Sequence, residues 1–473
     1  MTQFEFSCKF RRRGLSVILG VLMAPSIFAL EVLSDQSLAN TTGEGIAILP
    51  ENFKMVFQGA NDASTSSSYN NPSIGYADAS KYDTGFIRLI PTGENYSNLT
   101  ISSTAAKERS TKGDVFIYGL ALSKANSDIN QRFSNEGFNW GSADNPWLLR
   151  AGTAEQISQF KASNKADISY LAIEAPLARV NPTIDNSDGI KLGFWIDAFS
   201  RKWESSNEVN PITGAPSVMT DLDEKKRLRL QVVANGLNLS GSEIKVFQTQ
   251  DSDVAMHKNT LGMANVLRIN TNLNPSNLKI TDNNLSSKAL RVSTATLSSG
   301  TGPTPALTVR GQAPTFDPYE GLYLYSPNIN LVLGNMYQPF VVGSEGNNII
   351  LEVTRIPNVP SIYEQVYTRY AEADPNVSAG RYKGSTCNSA QCGTPFTAAN
   401  GIAYQGKNAT HSSISIGSVT HDPTKNTIRA NTARDSTGIV FRGSSVGATP
   451  VNLGSASIDG VLIQHMKIKT NGL

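Results

Sequence analysis

Cysteine and histidine are scarce in this chain: 473 residues carry three Cys and four His. His257, His411, His421 and His465 are scattered, and none stands in H-x-x-x-H spacing. A catalytic or structural zinc site built from such spacings is therefore not expected. Charge is also sparse. Asp, Glu, Lys and Arg make up 17% of the chain, against about 25% in an ordinary soluble domain. There is no basic run and no stripe of alternating basic and aromatic residues, which argues against nucleic acid as a partner. A phosphate-binding glycine loop leading into a helix is missing as well, and no cofactor is expected. Past the N-terminus no segment approaches the 18 or so consecutive apolar residues that a membrane-spanning helix needs.

What is present begins at the N-terminus. Lys9, Arg11, Arg12 and Arg13 precede an apolar run from Gly14 to Phe28, and Ala29 closes it with a small residue. This is the plan of a secretory signal peptide over residues 1–29, cleaved near Ala29. Cys8 stands before the apolar run, not at its end, so a lipobox is absent. Removal of four basic residues and Glu5 from totals of 41 basic and 39 acidic side chains leaves 37 and 38, close to neutrality. Export also suits the two remaining cysteines, Cys387 and Cys392, which the spacing pairs as a disulfide closing a short loop. Such a ring pins a loop and adds little to the stability of the whole.

Residues 30–45 read as a short helical segment stopped by Gly43 and Gly45. From Ile46 onward the hydrophobic period is mostly two, so the fold class expected is all-β. It should be an elongated antiparallel assembly of sandwich-like or curled sheets with a few short helices. About 444 mature residues exceed one compact core, which suggests an N-terminal β lobe over 46–205 and a C-terminal β lobe over 206–473. Leu192–Phe199 is a strand with bulky residues on both faces. Arg227-Leu228-Arg229-Leu230-Gln231-Val232 alternates polar and apolar residues, the pattern of a strand with its charged face in water. Glu243–Val246, Val266–Ile269 and Leu278–Ile280 continue the series, and Asn235-Gly236 is a candidate hairpin turn. Two capping boxes predict helices, one at Thr153–Gln156 and one opening near 361–371, where Ile362, Val366 and Tyr370 recur at four-residue steps. The long polar stretches 62–81, 204–216 and 371–401 read as loops.

Four constellations invite a chemical reading. Gly443-Ser444-Ser445-Val446-Gly447 matches G-x-S-x-G, with Asp459 and His465 following in hydrolase order. That mechanism needs a strand-to-helix elbow and partners on separate loops. Pro450 denies the helix here, and some 20 residues are too few to wrap a triad. A secreted serine hydrolase is thus the weakest alternative, and no catalytic residue is assigned. Asp185–Gly189 resembles a calcium loop, but Ile184 and Trp195 occupy the positions that need oxygen ligands, so no metal ligand is assigned either. Asp221-Leu222-Asp223-Glu224 beside Lys225-Lys226-Arg227 reads as a solvated charge cluster. Phe316, Tyr319, Tyr323, Tyr325, Tyr337 and Phe340 suggest a β core with tyrosines at its margin, a carbohydrate platform, or a membrane-interface girdle.

Several strings together resemble a known group. They are Leu33-Ser34-Asp35 through Gly43-Glu44-Gly45-Ile46, Asn145-Pro146-Trp147, Glu174-Ala175-Pro176-Leu177, Tyr325 to Pro339, and Ile458 to Lys467. They are similar to exported Gram-negative pilus-assembly (Fil-type) and uncharacterised surface proteins. The resemblance implies an envelope or surface location and a pilus-associated duty, with other envelope or pilus proteins as partners. It carries over no catalytic residue. The expectation is a non-catalytic structural, assembly or adhesive component, with peripheral contact to the outer membrane. The main alternative is an integral outer-membrane β-barrel.

Overall fold

The computed structural model describes residues 45–57, 86–89, 113–180, 189–200, 227–271, 275–295, 314–367, 395–407, 411–422, 427–444 and 447–470. The expected signal peptide, the expected helical segment at 30–45 apart from Gly45, the cysteine pair and the loops at 62–81 and 204–216 lie outside them, as does most of 371–401.

The described residues form two large antiparallel sheets, here sheets A and C, with few helices. Their organisation follows from one repeated move: each stretch of chain places one strand in one sheet and the next in the other. The first such leg is β1 (Gly45–Ile48) in sheet A and β2 (Met55–Val56) in sheet C. The second is β4 (Gly113–Lys124) and β5 (Trp147–Ile157), with the short β3 (Phe86–Leu89) also paired to β4. Then come β6 (Ala166–Glu174) with β7 (Ile190–Ser200), and β8 (Arg227–Leu237) with β9 (Glu243–Gln248). The fifth and sixth legs are β10 (Leu261–Asn270) with β11 (Ala289–Thr294), and β12 (Gly321–Tyr325) with β13 (Asn328–Leu333).

Between β13 and the seventh leg lie several smaller elements. They are β14 (Phe340–Glu345), β15 (Asn348–Val353), helix α1 (Pro360–Tyr367), β16 (Phe396–Thr397) and β17 (Ala403–Tyr404). The seventh leg joins β18 (Ser412–Ile416) to β21 (Ile439–Arg442), with the hairpin β19 (Val419–Asp422) and β20 (Thr427–Ala430) between them. The eighth is β22 (Val451–Gly454) and β23 (Ala456–Val461), and β24 (Met466–Lys469) follows.

Sheet A therefore runs β1-β5-β6-β9-β10-β13-β18-β23, and sheet C runs β2-β4-β7-β8-β11-β12-β21-β22. Both list the eight legs in the same order. The fold is an up-and-down meander of eight long legs, each divided between two sheets. A branch of β14, β15 and β24 extends sheet A beside β10. Strands from before residue 205 pair with strands from after 206 in both sheets, β7 with β8 and β6 with β9.

Four local expectations are corrected. Thr153–Gln156 lies within β5 and not in a helix. Cross-strand partners on β6 hold it extended, and a bulge sets Gln156 at φ +53°, its N–H donating to Asp167 Oδ1 at 2.9 Å. Leu278–Ile280 is a turn, not a strand. It makes one bridge, Lys279 to Ser436, while Leu278 and Ile280 pack on the cluster of Ile129, Val233, Tyr323 and Val440. Asn235-Gly236 is the end of β8 and not a hairpin. Gly236, at φ +72°, passes so close to Ser287 that a Cβ would stand 2.1 Å from its carbonyl oxygen. The helix near 361–371 is present as α1, burying Ile362 and Val366.

The fourth correction is the most consequential. The charged face of β8 is not in water. Arg227, Arg229 and Gln231 are buried, and Leu228 on the opposite face is 50% exposed. The same inversion holds on β7, where Lys191, Trp195 and Asp197 are buried and Leu192, Phe194 and Ile196 are only half-buried. In sheet A, Leu171 and Ile173 of β6 are exposed while Ala172 and Glu174 are buried. The sheets turn their polar side chains inward.

Candidate functional site

The inner face of sheet C carries a connected set of buried polar groups. On β7 and β8 the register sets Asp197 opposite Arg229 and Trp195 opposite Gln231. Arg229 donates to both oxygens of Asp197, through Nε at 2.7 Å and Nη2 at 2.6 Å, and both residues are almost completely buried. Tyr118 of β4 donates to the same carboxylate at 3.1 Å. Burial, and then the Asp197 charge, push the Tyr118 hydroxyl well above its ordinary pKa. Trp195 Nε1 donates to Gln231 Oε1 at 3.0 Å.

Residues 126–132 cross this face and explain why it is polar. Carbonyls at alternate positions of the segment meet side chains of the sheet. Asn126 O accepts from Asn235 Nδ2 at 2.6 Å, Asp128 O from Lys191 Nζ, and Asn130 O from Gln231 Nε2 at 2.8 Å. Lys191 also donates to Asn126 Oδ1 at 2.7 Å, and Arg291 donates to Asn130 Oδ1. Arg132 lies over the Trp195 ring at 4.2 Å and donates to the Gly119 carbonyl at 2.5 Å. A buried, non-ladder backbone must find partners or lose about 1–3 kcal/mol per orphaned group. The sheet supplies those partners from its side chains. Gly193 permits the approach, since a Cβ there would sit 2.2 Å from the Arg132 carbonyl oxygen.

Lys191 faces neutral acceptors in this setting. Burial lowers its ammonium to about 8, with Asp128 opposing the shift. Because the folded value lies below the unfolded one, the native state binds fewer protons between about pH 8 and 10.5, so stability should rise with pH across that window. Urea unfolding at intervals from pH 7.5 to 10.5 should show this rise, and Lys191→Met should flatten it relative to the native chain.

Sheet A has two smaller charged clusters on its inner side. Glu174 receives Arg150 Nε at 2.5 Å and Lys407 Nζ at 2.6 Å. Burial raises its carboxyl, but the two cations outweigh that and leave it below its ordinary value. Glu352 of β15 is buried between two histidines, with His257 Nε2 at 3.2 Å from Oε2 and His465 Nε2 at 3.0 Å from Oε1. Phe160 stacks on the His257 ring. The trio ties the 255–257 turn and the link before β24 onto β15. No set of three or more His, Cys, Asp or Glu among the described residues has the geometry of a metal site.

The candidate triad is not brought together in the described residues. Ser445 lies outside them. Asp459 accepts the Ile428 N–H at 2.8 Å, and His465 is engaged with Glu352. The calcium-like loop and the cluster at 221–226 also lie outside, apart from Gly189. Of the aromatic group, Tyr323 and Tyr325 are stacked core residues, Tyr337 joins the cluster around Ile157 and Phe247, and Tyr319 is exposed. They form no single platform.

Among the described residues the opposite faces of the sheets are mainly aliphatic. Ile46, Leu171, Ile173 and Ile458 in sheet A are exposed, as are Ile87, Leu228, Phe441, Val451 and Leu453 in sheet C. No protein-family model, curated protein or solved structure matches this chain. The site must be read from its own geometry. The sequence shows the alternation but not the inner network, because alternation reveals two faces without saying which is buried.

Proposed function

We propose that this is a non-catalytic, exported surface or envelope protein acting as a structural, assembly or adhesive component of a pilus-like system. One observation carries the reading: the inner polar side chains of the sheets are engaged with one another and with the chain's own backbone, and aliphatic side chains are what the sheets offer outward. Catalysis needs convergent polar groups left available to a substrate. A scaffold needs broad surfaces that associate, and exposed apolar patches serve that purpose. The signal-like N-terminus and the resemblance to pilus-assembly proteins supply the location.

The same inversion favours a second reading, an integral outer-membrane barrel, whose strands of about 9–11 residues face lipid with alternate side chains. Strands β4 to β8 contain 9 to 12 residues. Against it, neither sheet closes on itself among the described residues. Fractionation of the native envelope separates the two. The scaffold reading expects release by high salt or urea without detergent, together with co-purifying envelope proteins. A heat-modifiable band released only by detergent would replace it with the barrel.

A further inference from the structure

Lys191 and Asn126 are 65 residues apart in the chain and are held against each other by the fold. The β4–β7 register sets Ser123 opposite Lys191, and just beyond β4 the Ala125 N–H donates to the Gly189 carbonyl at 2.8 Å. Asn235 then fixes the Asn126 backbone, its Nδ2 donating to the carbonyl at 2.6 Å. Lys191 is fully buried, and its Nζ reaches Asn126 Oδ1 at 2.7 Å. The amide carbon is one bond further, and the terminal torsion of an Asn side chain turns over a broad range. The same Oδ1 accepts the Asp128 N–H at 3.1 Å, which draws electrons from that carbon. Asp128 is also the acid whose charge acts on the ammonium. An amine, a polarised amide and a carboxylate thus meet at one turn of the chain.

We propose that Lys191 and Asn126 join in an intramolecular isopeptide bond. The unprotonated Nζ attacks Asn126 Cγ. As the new C–N bond forms, the carbonyl electrons move onto Oδ1, where the Asp128 N–H holds the charge. One Nζ proton passes to the Asp128 carboxylate and on to Asn126 Nδ2. The Cγ–Nδ2 bond then breaks, the carbonyl re-forms and ammonia leaves; no oxidant or second substrate is consumed. Asn126 is exposed, so the ammonia has an exit to solvent. Burial favours the free amine by lowering the ammonium to about 8, and the nucleophilic form is the major one above that pH. The bond ties β7 covalently to the segment 126–132. It goes beyond the scaffold reading and depends on neither export nor partners. The alkaline rise in stability due to Lys191 belongs to the unlinked chain, and bond formation abolishes it.

The test is mass spectrometry of the reduced, purified mature chain held at pH 7 and at pH 9. The native chain should become lighter by one molecule of ammonia, sooner at pH 9. Tryptic mapping should recover the peptides of Asn126 and Lys191 as one branched species. Lys191→Arg keeps a cation at the site without a nucleophilic amine, and it should keep its full mass. Asp128→Asn keeps an acceptor for the Asn130 N–H but cannot carry the proton, so it should lose ammonia about 100-fold more slowly. Circular dichroism and melting curves establish that the variants are folded; where one is not, the branched peptide of the native chain decides. A native chain of unchanged mass at both pH values overturns the proposal. A loss of ammonia that maps within a single peptide, or that persists in Lys191→Arg, also overturns it, because it shows an asparagine closing on its own backbone.

Discussion

Asp197→Ala should cost the folded protein about 3–5 kcal/mol in urea unfolding, the range for removing one member of a buried ion pair. The loss arises less from the missing attraction than from what remains. Arg229 is 1% exposed, and without Asp197 its fork loses both carboxylate oxygens. Tyr118 loses its acceptor at the same time. Asp197→Asn should retain part of the hydrogen bonding and lose less. Tyr118→Phe removes one hydrogen bond to the buried carboxylate and should cost about 1.5–3 kcal/mol. The double variant Asp197→Ala/Arg229→Leu should recover much of the single loss, since apolar replacements of a whole buried pair are often near neutral. If the double variant is as damaged as the sum of the singles, the pair is not coupled as the geometry requires.

Much of the architecture is legible in the sequence. Period-two segments locate β7, β8, β9 and β10, and the four-residue steps of Ile362 and Val366 locate α1. Local rules fail where tertiary pairing overrides them. The capping box at Thr153 is stretched out by β6, and Asn235-Gly236 makes no hairpin because the chain continues into the next sheet. The polar network was half visible: the alternation of Arg227, Leu228, Arg229 and Leu230 is plain, yet a period of two fixes only that the faces differ. Which face is inner depends on the segment 126–132, over 90 residues earlier, whose carbonyls require donors. Nothing local to β8 announces that requirement. The division of each leg between two sheets was equally hidden, because it depends on long-range pairing.

That inversion is the centre of the account, and residues 228 and 229 test it as neighbours on one strand. Leu228 is 50% exposed and Arg229 is 1% exposed. In an ordinary sheet the leucine would be core and the arginine solvated. Burying a Lys in place of the leucine would then cost several kcal/mol, and Arg229→Leu would be nearly free. With the polar face inward, the effects reverse. Leu228→Lys should change stability by no more than about 0.5 kcal/mol, as for other surface substitutions. Arg229→Leu should cost about 3–5 kcal/mol, because it leaves the Asp197 carboxylate buried without its cation. The deciding measurement is the urea unfolding free energy of these two variants side by side. A small loss for Leu228→Lys with a large one for Arg229→Leu is the predicted result; the opposite order would contradict the fold's polarity and everything built on it.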